Sequence, residues 1–234
     1  MAVAALAGCG GDGGGSGGGD ELGGEAEVIE LAKAQLGQTP PGPLAWIAEE
    51  YRVREGSDLE HVHELAFVYA REATHSLELD DKRSELEPGK GGVVQAGVRH
   101  RHGATRGASI FWEIKLAPAD AVTPPGARRI FRSEPLEGIP ARPLASFLLV
   151  RIPPGGETSV HTHPGPELIY QLTGRILYQN ALIGTVELGP GGLEGIPPGT
   201  AVQKRNRFDA DAEFLSWFLV DPAEAFAPGA AFGG

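Results

Sequence analysis

Short apolar runs, separated by glycine and proline, dominate the chain after residue 43. They cover residues 44–53, 64–70, 108–116, 144–152, 175–188 and 213–220. Most are about the length of a strand, and turn-forming residues bound most of them. The spacing predicts an all-β sandwich or barrel. Ahead of these runs, residues 26–37 (AEVIELAKAQLG) predict a short helix that ends at Gly37.

The pattern also repeats at an offset of about 100 residues, which favours duplication of one β unit. Five features recur in the same order: His-x-His at 61 and 161, tyrosine at 69 and 170, Pro-Gly at 88 and 190, glycine at 97 and 199, and tryptophan at 112 and 217. We therefore predict an N-terminal domain over residues 26–120, a connector over 121–139 and a C-terminal domain over 140–234.

Composition restricts the functional classes. The chain is 41% apolar and 22% charged, which is typical of a globular protein. Its net charge of −11 repels phosphate backbones, so we expect no nucleic-acid partner. A single cysteine excludes both an internal disulfide framework and a cysteine-rich zinc module.

The N-terminal segment, residues 1–25, contains eleven of the 35 glycines and predicts a flexible tether. Within it, Leu6-Ala7-Gly8-Cys9 resembles a bacterial lipobox, in which the cysteine is lipidated. The resemblance implies a lipid anchor at Cys9 and an extracytoplasmic, membrane-anchored lipoprotein. The alternative is a small-residue tail with an unmodified thiol, on a cytoplasmic protein.

Residues 155–174 read GGETSVHTHPGPELIYQLTG, which places His161, His163 and Glu167 between two glycines. This spacing resembles the first sequence motif of the cupin superfamily. Residues 191–206 resemble the second motif, except that Val202 occupies the histidine position.

The first half resembles the complement of the second. His61 and His63 match the histidine pair, and His100 matches the second-motif histidine, whereas Phe67 falls at the glutamate position. The resemblance implies an all-β bicupin, with two double-stranded β-helix barrels at about 44–120 and 140–225 and a glycine-rich N-terminal tether.

Alternate residues of a strand face the same side, so each His-x-His pair directs both imidazoles into a barrel. Imidazole with carboxylate suits a divalent ion of iron, manganese, copper, nickel or zinc. The candidate metal ligands are His61, His63, His100, His161, His163 and Glu167.

The same alternation turns His102 inward with His100 and turns Lys204 inward in the second half. Lys204 is predicted either to bind a ligand carboxylate or to form a salt bridge with Glu167. We take His102, Lys204 and Tyr170 as candidate ligand-binding residues and His75 as a surface residue.

Two functions remain open. One is a metal-dependent oxidoreductase of the dioxygenase type, acting on a small oxygen-rich substrate. The other is a non-enzymatic extracytoplasmic module that binds a small anion or sugar. The resemblance also implies a homodimer, because cupins often pair through their outer sheets.

Overall fold

The computed structural model describes residues 23–233, and Cys9 and most of the predicted tether lie outside this range. The described residues form seventeen strands and no helix, which confirms the all-β prediction. No helix long and apolar enough to cross a membrane occurs among them.

The strands differ widely in length, from three residues to eleven. In chain order they are β1 (Glu27–Gln35), β2 (Leu44–Arg54), β3 (Leu59–His61), β4 (Ala66–Glu72), β5 (His75–Leu79), β6 (Lys82–Leu86), β7 (Gly91–Val94), β8 (His100–Ala104), β9 (Ala108–Pro118), β10 (Arg128–Arg132), β11 (Leu144–Ile152), β12 (Glu167–Thr173), β13 (Ile176–Asn180), β14 (Gly184–Leu188), β15 (Leu193–Ile196), β16 (Val202–Arg205) and β17 (Ala212–Val220).

Each half of the chain contains a five-stranded sheet and a smaller sheet. The first half has the orders β10-β2-β9-β4-β7 and β3-β8-β5-β6, and the second has β1-β11-β17-β12-β15 and β14-β13-β16. Apart from the first strand in each order, the strands of the two large sheets correspond one to one, β2-β9-β4-β7 with β11-β17-β12-β15, as expected of a duplicated unit. We call the two halves the first and second barrels.

Each large sheet also contains one strand that lies outside the continuous stretch of chain forming the rest of its barrel. β1, which belongs to the predicted first domain, pairs antiparallel with β11 of the second barrel. β10, which lies in the predicted connector, pairs antiparallel with β2 of the first barrel. Residues 27–35 and residues 128–132 of the predicted connector are therefore part of the folded sheets.

The helix predicted over residues 26–37 is wrong. Residues 27–35 form β1 instead, with a bulge between Glu30 and Ala32. Eight register pairs with β11 satisfy its backbone, and Ala34 and Leu36 are buried in the main core. Tertiary pairing of this kind outweighs a local helix propensity worth less than about 1 kcal/mol per residue.

The largest core cluster lies between the two large sheets and joins the barrels. Trp217 of the second barrel stacks on Phe147 with centroids 5.4 Å apart, and Phe147 contacts Phe67 of the first barrel at 5.2 Å. All three side chains are fully buried. This apolar layer leaves the opposite face of each large sheet to line a barrel interior, where the polar clusters lie.

Candidate metal centres

The first polar cluster lies inside the first barrel. His61 at the end of β3 and His100 at the start of β8 are direct antiparallel partners. His63 follows two residues after His61, and Glu113 reaches the same space from β9. Ligand atoms of these four side chains lie within 4.8 Å of one another. The three histidines predicted as first-half metal ligands are therefore brought together.

Glu113 is the centre of this cluster and was not predicted from the sequence. Its Oε1 lies 3.2 Å from His61 Nδ1, 3.2 Å from His63 Nε2, 3.5 Å from His100 Nε2 and 2.8 Å from His102 Nε2. Burial alone would raise the pKa of Glu113, but the surrounding imidazoles hold it well below its ordinary value. The side chain is therefore an ionised carboxylate.

Backbone carbonyls set the orientation of two imidazoles. His100 Nδ1 donates to Val98 O at 3.0 Å, and His63 Nδ1 donates to Glu64 O at 2.6 Å. A neutral imidazole that donates from Nδ1 presents a lone pair at Nε2, which is the form that binds a metal. Both Nε2 atoms face Glu113.

Two buried atoms of the cluster, His100 Nε2 and Glu113 Oε2, lack a hydrogen-bond partner among the described residues, and so does His102 Nε2 beside them. An unpaired buried polar atom costs roughly 1–3 kcal/mol, so a ligand that satisfies both atoms is favoured. Three imidazoles and a carboxylate fit a divalent ion of the iron, manganese, copper, nickel or zinc group.

His75 and His102 lie directly behind the cluster, and both are fully buried. The prediction that His75 is a surface residue is wrong, because its ring stacks on Phe111 with centroids 4.1 Å apart. His102 faces inward, as predicted, and stacks on the same ring at 4.4 Å. Burial lowers the pKa of His75 to about 3 and that of His102 to about 4, so both rings are neutral.

The second polar cluster contains His161, His163 and Glu167, with ligand atoms within 4.8 Å of one another. All three are buried. Lys204 is buried with them, and its Nζ donates to both oxygens of Glu167 at 3.0 Å. Ser216 Oγ donates to Glu167 Oε1 at 2.6 Å. The carboxylate therefore already has an ammonium and a hydroxyl group bound to it.

The charge of Lys204 shapes the electrostatics of this cluster. Burial would raise the pKa of Glu167, but Lys204, His163 and the Ser216 hydrogen bond lower it to about 2. Burial, followed by the charge of Lys204, lowers the pKa of His161 to about 3. The site is thus a buried ion pair beside two neutral imidazoles.

The C-terminal segment covers the mouth of the second barrel. Phe226 O accepts a hydrogen bond from His163 Nδ1 at 2.7 Å, and the Phe226 ring packs on His163 and Phe218. Pro228 O accepts from Thr162 N at 3.1 Å. His161 is 0% exposed, whereas the side chain of His61 in the first cluster is 15% exposed. The first cluster is the more accessible of the two.

Comparison with known proteins agrees with this architecture. Residues 148–218 match the family model described as "Cupin domain". The chain has the cupin fold. No curated protein matches the sequence significantly.

Solved structures extend the likeness to both barrels. A mutant of oxalate decarboxylase OxdC from Bacillus subtilis is 15% identical, with a TM-score of 0.56 over 89% of this chain and 76% of that chain. An oxalate decarboxylase from Lactobacillus farciminis is 14% identical, with a TM-score of 0.57 over 89% and 84%. AerE from Microcystis aeruginosa is 13% identical, with a TM-score of 0.54 over 82% and 99%. At such identities the likeness concerns the fold.

Strand pairing fixes which residues of the two cupin barrels are equivalent. Val202 faces His161 across a bridge, as His100 faces His61. Gly97 and Gly199, with φ of 74° and 72°, end equivalent turns that precede these positions. Val202 therefore occupies the place of a histidine ligand, as the sequence predicted.

The glutamate position of the first cupin barrel holds Ala66, and its assignment to Phe67 is wrong by one residue. Ala66 starts β4 and pairs with Val94, just as Glu167 starts β12 and pairs with Ile196. Phe67 faces the other side of β4, into the core between the barrels. The first half has one residue fewer between its second histidine and this strand, and a one-residue shift reverses side-chain direction.

The structure does not place Tyr170 in the second site. Three residues after Glu167 on the same strand, it faces the opposite side of the sheet. Its ring stacks on Phe131 at 5.3 Å and meets Trp112 edge-on at 5.4 Å, between the barrels.

The sequence does contain a feature that could have identified Glu113. The residue is one of only two charged residues in the apolar run 108–116. Glu113 is fully buried in β9. A charged residue in a strand that is otherwise buried requires a partner, and the first barrel's unpaired histidines were the available candidates.

Proposed function

We propose that the chain is a metal-dependent oxidoreductase of the dioxygenase type, whose catalytic centre is the first barrel. The observation that carries the proposal is the convergence of His61, His63, His100 and Glu113, with one nitrogen of each imidazole within 3.5 Å of one carboxylate oxygen. The structural likeness to oxalate decarboxylase, whose Mn(II) centres one neighbouring structure describes, supports the same class of cofactor.

The residues of the first barrel have different proposed roles. His61, His63, His100 and Glu113 would hold the ion, which when bound supplies Lewis-acid and redox chemistry at its open positions. His102 lies behind Glu113, with its Nε2 2.8 Å from Glu113 Oε1. The partial exposure of His61 and His63 leaves one side of the centre open to a small substrate.

A cleft of about 250 Å³ lies on the outer face of the sheet that carries β8, where Arg99, Arg101 and four carboxylates line it, those of Glu60, Glu78, Asp80 and Asp81. Arg101 pairs in register with Glu60 and Glu78, and it alternates with the buried His100 and His102. These charges therefore face away from the metal centre and do not select its substrate.

Oxygen uptake tests the proposal. Protein purified without a polyhistidine tag is analysed for metal and incubated with a β-diketone, with oxalate or without substrate. We expect a bound redox metal and oxygen uptake with the diketone that His100→Ala abolishes and His161→Ala retains. Carbon dioxide release from oxalate without oxygen uptake would replace the dioxygenase proposal with decarboxylation. Absence of a redox metal would favour the binding module for a small anion or sugar.

We also propose that the protein is lipid-anchored and extracytoplasmic, on the basis of Leu6-Ala7-Gly8-Cys9 and the glycine-rich tether. In its own host, the protein should partition into detergent, and Cys9→Ser should release it. If wild type and variant both stay in the aqueous phase, the anchor does not exist.

A further inference from the structure

A second group of charged and polar side chains lies in the first barrel, beside the metal cluster. Lys115 Nζ donates to Glu49 Oε2 at 2.5 Å, and the Tyr51 hydroxyl donates to the same oxygen at 3.4 Å. Arg129 Nη2 donates to Glu49 Oε1 at 3.4 Å. We call these four residues the Glu49 group. The Tyr51 ring also meets the ring of His61 in the metal cluster edge-on, with centroids 5.1 Å apart.

Strand register places the Glu49 group on the same face of the sheet as the metal cluster. Glu49 of β2 is the direct partner of Glu113 on β9, and Arg129 of β10 is the direct partner of Glu49. Residues directly opposite each other on neighbouring strands share a face. Tyr51 and Lys115 share it too, since each lies two residues along a strand from Glu49 or Glu113. The group therefore lines the barrel interior next to Glu113.

The second barrel has apolar side chains at the equivalent positions. By register with β9 and β17, the places of Glu49, Tyr51 and Lys115 are taken, in that order, by Leu148, Val150 and Phe218. All three lie in the apolar core of the second barrel. The fold therefore does not require charges at these positions, and burying charges costs free energy. Their presence in the first barrel alone points to a ligand that uses them.

The Glu49 group carries more positive charge and more donors than its own carboxylate uses. Two cations, Lys115 and Arg129, share the single negative charge of Glu49. Within residues 23–233, Arg129 Nε is buried without a hydrogen-bond partner, and Lys115 donates only to Glu49 although an ammonium has three N–H groups. Both cations are partly exposed, so a ligand can reach them from solvent. A carboxylate from a ligand would satisfy these donors and balance the charge.

We propose that Lys115 and Arg129 bind the carboxylate of the substrate, whose enolisable end lies at the metal cluster. The substrate is then a small keto acid, such as a 2,4-diketo acid, and an uncharged diketone is a poorer substrate. The two cations determine specificity and do not hold the ion. The inference rests on the proposed dioxygenase function of the first barrel and names its class of substrate.

Binding to the metal-free protein tests the inference without relying on catalysis. Pentane-2,4-dione becomes 2,4-dioxopentanoate when a carboxylate replaces one terminal methyl group, so the pair isolates the effect of that charge. Ligand-observed NMR titration measures the dissociation constant of each compound. We expect wild type to bind the acid at least about tenfold more tightly, because hydrogen bonds to charged groups contribute about 10- to 100-fold.

Three variants assign this preference to the Glu49 group. Lys115→Met should weaken binding of the acid about 10- to 100-fold and leave binding of the diketone unchanged. The triple variant Glu49→Leu, Lys115→Met and Arg129→Met leaves no buried ion unpaired, so it should fold and should also lose the preference. Lys82→Met removes an exposed charge from β6 and is the matched control, which should keep the preference.

Oxygen uptake by the Mn(II)-loaded protein gives a second measurement. Lys115→Met should raise KM for the acid and leave KM and kcat for the diketone unchanged. Damage to the barrel as a whole would instead impair the reaction of both compounds.

The outcomes separate the carboxylate site from the proposed function. Equal binding of the two compounds by metal-free wild type would overturn the carboxylate site, as would an acid preference that survives in the triple variant. If the preference depends on Lys115 but the loaded protein takes up no oxygen with either compound, the dioxygenase proposal fails and the carboxylate site stands.

Discussion

Glu113 and Ser216 occupy equivalent positions in the two barrels. Glu113 pairs with Val68 of β4, and Ser216 pairs with Ile169 of β12, at the same point of the same sheet order. In the second barrel the serine donates to Glu167 on the neighbouring strand at 2.6 Å. In the first barrel the carboxylate itself stands at the serine position, one strand away from where the cupin motif places it.

Because the two barrels carry their carboxylate on neighbouring strands, we predict that the carboxylate of the first barrel can be moved from position 113 to position 66. Glu113→Ser should remove metal binding from the first barrel, because the three imidazoles lose the carboxylate at their centre. Adding Ala66→Glu should restore binding to within about tenfold of wild type, since Ala66 is equivalent to Glu167 and Glu113→Ser vacates the space in front of it. Equilibrium dialysis with Mn(II) measures both affinities.

A stability measurement accompanies this test, because Ala66 is fully buried and a new carboxylate there costs burial energy. If the folded double variant binds no more tightly than Glu113→Ser alone, the two positions are not interchangeable and the equivalence of the barrels at this site is wrong.

The second barrel predicts a different behaviour, because Lys204 already neutralises Glu167. In a His100→Ala background, Val202→His alone should add little metal binding, although it supplies the missing imidazole. Val202→His together with Lys204→Met should bind a divalent ion, measured as bound metal per chain. Lys204→Met alone should cost about 3–5 kcal/mol of unfolding free energy, since it leaves a buried charge unpaired.

Strong metal binding by Val202→His alone would show that the ion readily displaces Lys204 from Glu167. The second barrel would then be a weakened metal centre that lacks one ligand.

The resemblance to the two cupin motifs, together with the internal repeat, predicted the fold and six of the seven side chains now found in the two candidate clusters. Strand alternation adds only which residues of each pair share a face. His61 and His63 share a face for that reason, as do His161 and His163. Glu113 was missed because it lies about fifty residues beyond His63, and only sheet order brings β9 beside β4. Single-sequence periodicity reports which side a residue faces and not which strand lies next to it.

The errors at β1 and His75 have a related cause. Residues 27–35 follow a pattern compatible with a helix, and only pairing with β11, more than a hundred residues away, makes them a strand. His75 looked exposed because nothing nearby in sequence pairs with it, whereas Phe111, Ser109 and His102 bury it from distant strands.

Burial of His75 predicts a pH dependence of stability. Its pKa falls from 6.5 to about 3 on folding, through burial and then the nearby His102, against the opposing charge of Glu113. The unfolded chain therefore binds a proton that the folded protein excludes, and this contribution to stability is complete above pH 6.5 and lost as the pH falls towards 3. His75→Leu should reduce the slope of unfolding free energy against pH by about 1.4 kcal/mol per unit between pH 6 and 4.

Urea unfolding of metal-free protein at several pH values measures this slope. Leu77→Ala should lower the whole curve and leave its slope intact. An unchanged slope in His75→Leu would mean that His75 titrates normally in the folded state.

The metal content of Glu113→Gln tests the central claim most directly. Glutamine keeps the size of the side chain and removes its charge, and His161→Ala, the control, removes a candidate ligand from the second barrel. After dialysis against Mn(II), wild type and His161→Ala should each hold about one ion per chain, whereas Glu113→Gln should bind at least about tenfold more weakly. Full occupancy in Glu113→Gln, or loss of the ion in His161→Ala, would contradict a metal centre built on Glu113.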